Sequence, residues 1–410
     1  FTVKSRRFFE AMDDVDLYCT LECNGRIVHE QRFCSIGILP QSEKRFVLDF
    51  PLRYGKSGDT VCLNLSLRTN KTLPWAPYGH ELGWEQRILK SEALPALDAI
   101  TCKASPAFCY EQKDGVLYVQ SGDTYFGFDL VNGLPVSMIA SGKEMLASPI
   151  TPVIWRASLA NDRRSAKEIK AAGFESALLY CRRCEILEKG DALCRIRGEY
   201  IYAVPGSLPI MHIDAEYRFL GSEGLTVTYH AHVKKGLPPL PRFGVEFRMP
   251  EGNERFSYFG IGPYESYIDK HHASRLGRFE SSVGAHFEHY LKPQENMAHA
   301  DTRWALVSDL TGLGLLCLGV ETPFSVNCSH YTSRMLTAAK HDFELVPLKE
   351  TVVNLDYRHN GIGSHSCGPE LAPEYALNEE KMTFHIRLKP VLGNDVDPFA
   401  ELYQNRTEEQ

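Results

Sequence analysis

The feature that most restricts the fold of this chain is a hydrophobic alternation of period two. In Leu225-Thr226-Val227-Thr228-Tyr229-His230-Ala231-His232-Val233, one face carries Leu225, Val227, Tyr229, Ala231 and Val233. The other face carries two threonines and two histidines, as in a half-buried antiparallel strand. Around Cys194 the pattern repeats, with Cys194, Ile196, Tyr200 and Tyr202 opposite Arg195, Arg197 and Glu199. Asn24-Gly25, Asp114-Gly115 and Asn132-Gly133 punctuate such runs with residues that tolerate positive φ in tight hairpins. Helical periodicity is scarce: Ser165 to Ala172 could form two turns, and Ser281 to Tyr290 a further short piece. Doubly wound sheets and eight-fold α/β barrels need a helix after nearly every strand, so both are excluded. The reading is all-β, with antiparallel sheets.

The chain has 410 residues, which suggests two or three domains. Periodicity fades between residues 90 and 110, where Leu94-Pro95-Ala96-Leu97 and Ala104-Ser105-Pro106 fall. This predicts a small β-sandwich over 1–95, a linker over 96–110, a large β domain over 111–395 and a polar tail over 396–410. Hydrophobic residues make up 43% and charged residues 24%, values ordinary for a globular protein. A formal charge of −7 and a pI near 6.1 argue against a nucleic-acid binder, which would carry a basic stripe. No run approaches the ~18 apolar residues of a membrane span, so no membrane partner is expected.

Twelve cysteines are spread along the chain, too sparsely for a disulfide framework, and most sit among apolar residues as small buried hydrophobes. They point to a reducing cytoplasm. The opening Phe1-Thr2-Val3-Lys4 reads as strand without an initiator Met, the mark expected of a piece of a longer polypeptide.

Isolated chemical motifs favour plain readings. His230-x-His232 has metal-site spacing but no third ligand, so two solvated histidines are expected. Cys181-Arg182-Arg183-Cys184 lacks both the second pair of a structural zinc site and the βαβ context of a redox motif. His271-His272 and His286-x-x-His289 read as solvated loop surface. No Gly-rich phosphate loop leads from a strand into a helix. Two stretches are denser in unusual residues, Gly260 to Lys270 and Asn360 to Pro369. Their glycines, aromatics and carboxylates suit either a sugar-facing rim or rigid turns capped by carboxylates.

These stretches also carry a family likeness. Leu240-Pro241-Arg242-Phe243-Gly244-Val245, followed by Gly260-Ile261-Gly262-Pro263-Tyr264-Glu265-Ser266-Tyr267-Ile268-Asp269, resembles the C-terminal domain of large bacterial β-galactosidases of glycoside hydrolase family two. So do Pro293-Gln294-Glu295-Asn296 with Asp301-Thr302-Arg303-Trp304, and Asn354-Leu355-Asp356 leading into Gly361-Ile362-Gly363. Upstream, Trp155-Arg156-Ala157 with Asn161-Asp162 resembles that family's Arg-Ala-Pro and Asn-Asp stretch, and Gly79-His80-Glu81-Leu82-Gly83-Trp84-Glu85-Gln86 the end of the preceding sandwich. The likeness is co-linear from about residue 3 to residue 390.

The resemblance implies an immunoglobulin-like sandwich followed by a galactose-mutarotase-like β-supersandwich, the last two domains of a longer retaining glycosidase that hydrolyses terminal β-D-galactosides such as lactose. The family's two catalytic glutamates lie in an α/β barrel that precedes this region. No catalytic residue and no metal ligand is therefore assigned here, and this chain alone is expected to be inactive. Glu265, Asp269, Glu295 and Asp356 are expected to pair with backbone or arginine. A β-galactoside, the preceding domains and a homo-oligomer are the implied partners, with Mg²⁺ and Na⁺ belonging to the parent enzyme. The implied sugar-site residues are Asn161, Asp162, Asn360, His365, Ser366 and Cys367. Ser366-Cys367-Gly368 stands where the family carries a Trp-containing stretch, so a stacking platform is lost or supplied elsewhere, for example by His365. Arg163-Arg164 and a short connection to Ala171-Ala172-Gly173 replace the family's mobile loop. Two other readings stay open: an aldose 1-epimerase acting alone, with His230 and Glu265 as candidate acid and base, and a carbohydrate-binding module without chemistry.

Overall fold

A computed structural model describes residues 1–51, 54–101 and 106–403. Strands dominate, nearly all pairings are between antiparallel neighbours, and the chain divides into two compact units between Ala93 and Leu94.

In the first unit, four antiparallel strands lie in the order Arg26–Phe33, Val15–Cys23, Val61–Thr69, Glu81–Lys90, with a two-stranded ribbon of Thr2–Lys4 and Glu43–Arg45. Alternation along Val15–Cys23 turns Val15, Leu17 and Cys19 into a core shared with Met12, Ile36, Ile38 and Phe46. Asn24 and Gly25 both take positive φ, +53° and +74°, the geometry a two-residue hairpin needs to match strand twist.

The second unit holds three sheets. A five-stranded meander runs Lys143–Glu144, Leu134–Ala140, Thr124–Asp129, Val116–Ser121, Cys109–Lys113. A second five-stranded sheet has the order Thr151–Val153, Arg242–Met249, Thr351–His359, Phe324–Ser329, His299–Thr302. The third has nine strands: Leu178–Lys189, Cys194–Ala203, Met211–Leu220, Gly224–Val233, Lys381–Leu392, Leu313–Gly319, Trp304–Ser308, Arg255–Gly262, Arg275–Ser282. One continuous core joins all three. Phe126 and Phe128 of the meander meet Phe219 and Tyr217 of the large sheet at centroid distances of 5.2 and 4.8 Å. Phe243 of the second sheet meets Phe384 of the large one at 6.5 Å. Each such ring contributes about 2–3 kcal/mol by leaving water. This is the all-β supersandwich expected above.

Sequence and structure differ at identifiable points. Leu225, Val227, Tyr229 and Ala231 are buried and His230 and His232 exposed, but Thr226 and Thr228 are buried too, Thr228 beside the His385 ring of the neighbouring strand, whose Nδ1 lies 2.9 Å from its Oγ1. Asn132 does not take positive φ; Asp129 accepts from the amides of Val131 and Asn132 and closes a longer turn in which Gly133 alone is left-handed. A helix forms at Ala166–Ala172, whereas Ser281 to Tyr290 forms none. There the strand Arg275–Ser282 ends, Val283 is buried, and its amide donates to Glu254 O. Within this stretch His286 is buried rather than solvated. It stacks edge-on against Phe256, and its Nε2 lies 2.6 Å from Nε2 of the equally buried His299. Burial holds His286 down to about 4 and His299 to about 3, the latter helped by its partner.

Within the expected linker, Ile100 is buried against Leu220 and Val320, next to a short turn at Leu97–Ala99. Residues 102–105 of that segment lie outside the described residues. The expected tail begins with a helix, Pro398–Leu402, because Asp397 caps it, Pro398 opens it, and Phe399 lies 4.8 Å from the Phe259 ring. The rest of that tail, residues 404–410, lies outside the described residues. So does Cys102; the other cysteines are free thiols. Cys181 and Cys184 both face the core because the strand shifts register between Cys181 and Arg183, and burial pushes Cys184 up to about 12.

Candidate functional rim

Two segments far apart in sequence meet at one edge of the second five-stranded sheet. Strand Thr151–Val153 runs on into Trp155, Arg156 and a short 3-10 turn, Ala160–Arg163. Strand Thr351–His359 runs on into the loop from Asn360 to Pro369. Irregular loops carry amides and carbonyls that no sheet ladder satisfies, so side chains must do so.

Here the pairing is dense. Arg156 is fully buried and donates to the carbonyls of Asn360 (2.7 Å) and Gly361 (3.3 Å), with Asp162 at 3.6 Å from its guanidinium. Asn161 Nδ2 donates to Gly363 O at 2.6 Å, and its Oδ1 accepts from Ser366 Oγ at 2.7 Å. Asp269 accepts from the amides of Ile362 (2.8 Å) and Gly363 (2.7 Å). Asn360 Oδ1 accepts from the amide of Leu377 at 2.9 Å. Asp162 accepts from the amide of Leu159 at 2.9 Å. The loop is thus held by its carbonyls on one side and by its amides on the other.

Of the six residues named from sequence, Asn161, Asp162, Asn360 and Ser366 fall within this one network. Cys367 is exposed just beyond it, and its amide donates to Ser364 O at 3.2 Å. His365 is half-buried with Nε2 at 3.9 Å from Glu370. Arg156 and Asp269, which tie the network together, were visible in sequence only as motif letters. A buried arginine beside a glycine-rich loop is the signal that could have marked the first.

Beneath the rim lies a buried ionic core. Arg242 donates to both oxygens of Asp356 (2.8 and 2.6 Å), and His359 Nε2 lies 3.0 Å from Asp356. Burial works against the charge on Asp356, but Arg242 and His359 outweigh it and hold the carboxyl below its ordinary range. Glu295 accepts from Asn327 at 3.1 Å and stands 3.8 Å from Arg242. Glu265 pairs with Lys270 and accepts from Tyr290 (2.8 Å) and the amide of Met297 (3.0 Å). All four carboxylates considered from sequence therefore hold structure together. Among the described residues no group of three or more His, Cys, Asp and Glu side chains is placed to hold a metal ion, and no helix is long and apolar enough to cross a membrane. The arrangement can shape and orient a polar ligand; it offers no facing pair of unengaged acids for proton transfer.

The fold and rim define a class, an antiparallel sandwich followed by a supersandwich with a clamped loop at its edge. Residues 120–388 match the family described as "Beta galactosidase small chain" and residues 1–90 the one described as "Beta-galactosidase, domain 4". The chain belongs to the β-galactosidase small-chain family. It is 31% identical to a β-galactosidase of Actinobacillus pleuropneumoniae over 88% of this chain and 35% of that protein. It is 27% identical to one of Priestia megaterium over 95% of this chain and 37% of that protein. The chain thus spans about a third of the length of these relatives. Among solved structures it is similar to galactose 1-epimerase from Lactobacillus acidophilus (9% identity, TM-score 0.40, 71% of this chain and 99% of that one). It is also similar to an aldose epimerase homologue from C. elegans (9% identity, TM-score 0.37, 70% and 99%).

Proposed function

We propose that this chain is a non-catalytic part of a β-galactosidase and that its rim completes the sugar pocket of a catalytic barrel carried elsewhere in the enzyme. The reading rests on one observation: Asn161 is hydrogen-bonded to Gly363 and Ser366. The two stretches whose likeness points to the sugar site are thereby joined in one place. The engaged state of Glu265, Asp269, Glu295 and Asp356 supports a positioning part rather than a chemical one, since a retaining glycosidase needs two carboxyl groups about 5–5.5 Å apart on either side of the scissile bond. The whole enzyme hydrolyses terminal β-galactosides, works as a homo-oligomer in a reducing cytoplasm, and draws any Mg²⁺ or Na⁺ through residues outside this chain. Cys367 stands where the family carries its Trp-containing stretch, so a stacking platform is lost at that position or supplied elsewhere, for example by His365.

Assay of the 410-residue chain with a chromogenic β-galactoside tests the division of labour. The expected result is no turnover. Turnover abolished by Glu265→Gln or Glu295→Gln would overturn it. In the whole enzyme, Asn161→Ala is expected to raise KM for lactose more than it lowers kcat, since the rim positions substrate and moves no proton.

A further inference from the structure

We propose that the outward face of the nine-stranded sheet carries a second binding site, for a neutral polyhydroxylated ligand of saccharide size. It lies on the far side of that sheet from the core, goes beyond the rim reading and uses none of the rim's residues. Four neighbouring strands build it: Cys194–Ala203, Met211–Leu220, Gly224–Val233 and Lys381–Leu392. Their register lines up Arg197, Glu216, Thr228 and His385 in one row across the sheet, and Glu199, Asp214, His230 and Thr383 in the next.

This face carries an open groove of about 880 Å³, within the range of about 300–1,000 Å³ that small-molecule sites occupy. Its floor is built from buried polar groups: Thr228 is 5% and His385 8% exposed, with Thr228 Oγ1 and His385 Nδ1 2.9 Å apart. The turn at Leu97–Ala99 borders the groove, fixed by the amide of Leu97, which donates to Glu321 at 3.2 Å. Glu321 in turn lies 3.5 Å from His385 Nε2.

The lining selects the chemistry. Arg195 donates to both oxygens of Glu216, at 3.0 and 3.2 Å, and Arg197 to Asp214 at 3.1 Å. These pairs cancel in charge, and the other charged lining groups, Arg218 and Asp98, are one of each sign, so the groove carries no excess of cationic side chains to draw in an anion. Each pair still leaves unused N–H donors next to unused carboxylate lone pairs. A hydroxyl both donates and accepts, and vicinal hydroxyls match that alternation. His230 lines the groove and spends Nδ1 on Thr383 at 3.1 Å, which leaves its Nε2 for a ligand. Burial holds His385 below the ordinary histidine range against the pull of Glu321, so it meets a ligand as a neutral ring. Leu97 and Leu193 also line the groove and offer apolar surface for the C–H face of a pyranose.

The test uses the full chain with ¹³C-labelled histidine, titrated with lactose and, separately, with inorganic phosphate. Imidazole resonances of His230 and His385 are expected to shift saturably with lactose, with a Kd of about 1–10 mM, and not with phosphate. Arg197→Ala and Glu216→Ala should each weaken that binding about tenfold, while Asn161→Ala leaves it unchanged. Both groove side chains face solvent, and unchanged signals from the buried His286 and His299 confirm that each variant is folded. Absence of shifts at His230 and His385, or shifts driven by phosphate alone, would overturn the proposal. Lactose shifts confined to His365 would overturn it as well while leaving the rim reading in place.

Discussion

Replacing Asp269 with alanine should free one side of the rim loop. The Asp269 carboxylate accepts from the amides of Ile362 and Gly363 at 2.8 and 2.7 Å. Hydrogen bonds to a charged partner are worth about 1.5–3 kcal/mol each. Taking the lower figure for each, because a freed amide at the surface finds water, local opening becomes easier by about 3 kcal/mol. At about 1.4 kcal/mol per decade, that is about a hundredfold faster hydrogen exchange at these two amides. Asp269→Asn keeps one acceptor and should fall near tenfold. Arg156 and Asn161 still grip the carbonyls of Asn360, Gly361 and Gly363, so the loop should loosen without the unit unfolding. Amide-resolved exchange by NMR reads this directly. If the Ile362 and Gly363 amides exchange at the parent rate in a folded D269A protein, the carboxylate does not hold the loop and the two-sided clamp is wrong.

Other outcomes follow from the buried polar groups and one tight glycine. His286 and His299 sit at about 4 and 3 when folded against about 6.5 unfolded. Between those values the unfolded chain binds more protons, so their stabilisation is complete above about pH 6.5 and lost as pH falls toward 4, by at most about 1.4 kcal/mol per pH unit for each. Urea melts at stepped pH should show His286→Gln with a shallower acid loss than the parent; equal slopes would count against the pair. Arg242→Met alone should cost about 3–5 kcal/mol by stranding Asp356, and R242M/D356L together markedly less; a single-variant loss under about 1 kcal/mol would refute the buried pairing. Gly224 has φ of +84°, and an added Cβ would lie 2.2 Å from the Leu388 carbonyl. Gly224→Ala should therefore cost more than the ~1 kcal/mol of an ordinary strained glycine, seen as a lowered Tm, and an unchanged Tm would contradict the close approach.

Much of the architecture was legible because strand periodicity is a local property. Cys194, Ile196, Tyr200 and Tyr202 face the core as their alternation implies. What was not legible depends on partners distant in sequence. Thr226 and Thr228 read as solvent-facing, but their burial is decided by segments far along the chain. His286 looked like loop surface because nothing near it announces His299 and Phe256 as neighbours. The helix Pro398–Leu402 is short and lies in a polar tail, and the docking of Phe399 beside Phe259 and Trp304 is support that no local pattern announces. At the rim, motif letters placed Asn161 and Asn360 at one site, yet the clamp by Arg156 and Asp269 needed coordinates. A side chain that bonds backbone carbonyls 204 and 205 positions away leaves no periodic trace.

That separation also sets a schedule. A ribosome adding about 5–20 residues per second releases Arg156 some tens of seconds before it reaches the carbonyls of Asn360 and Gly361. Until then the guanidinium has no permanent lodging and must stay in water, so the edge strand beside it cannot settle early. The rim is thus among the last parts of this supersandwich to take shape, and a stall or truncation ahead of residue 360 would leave a charged arginine where the finished protein has a dry one.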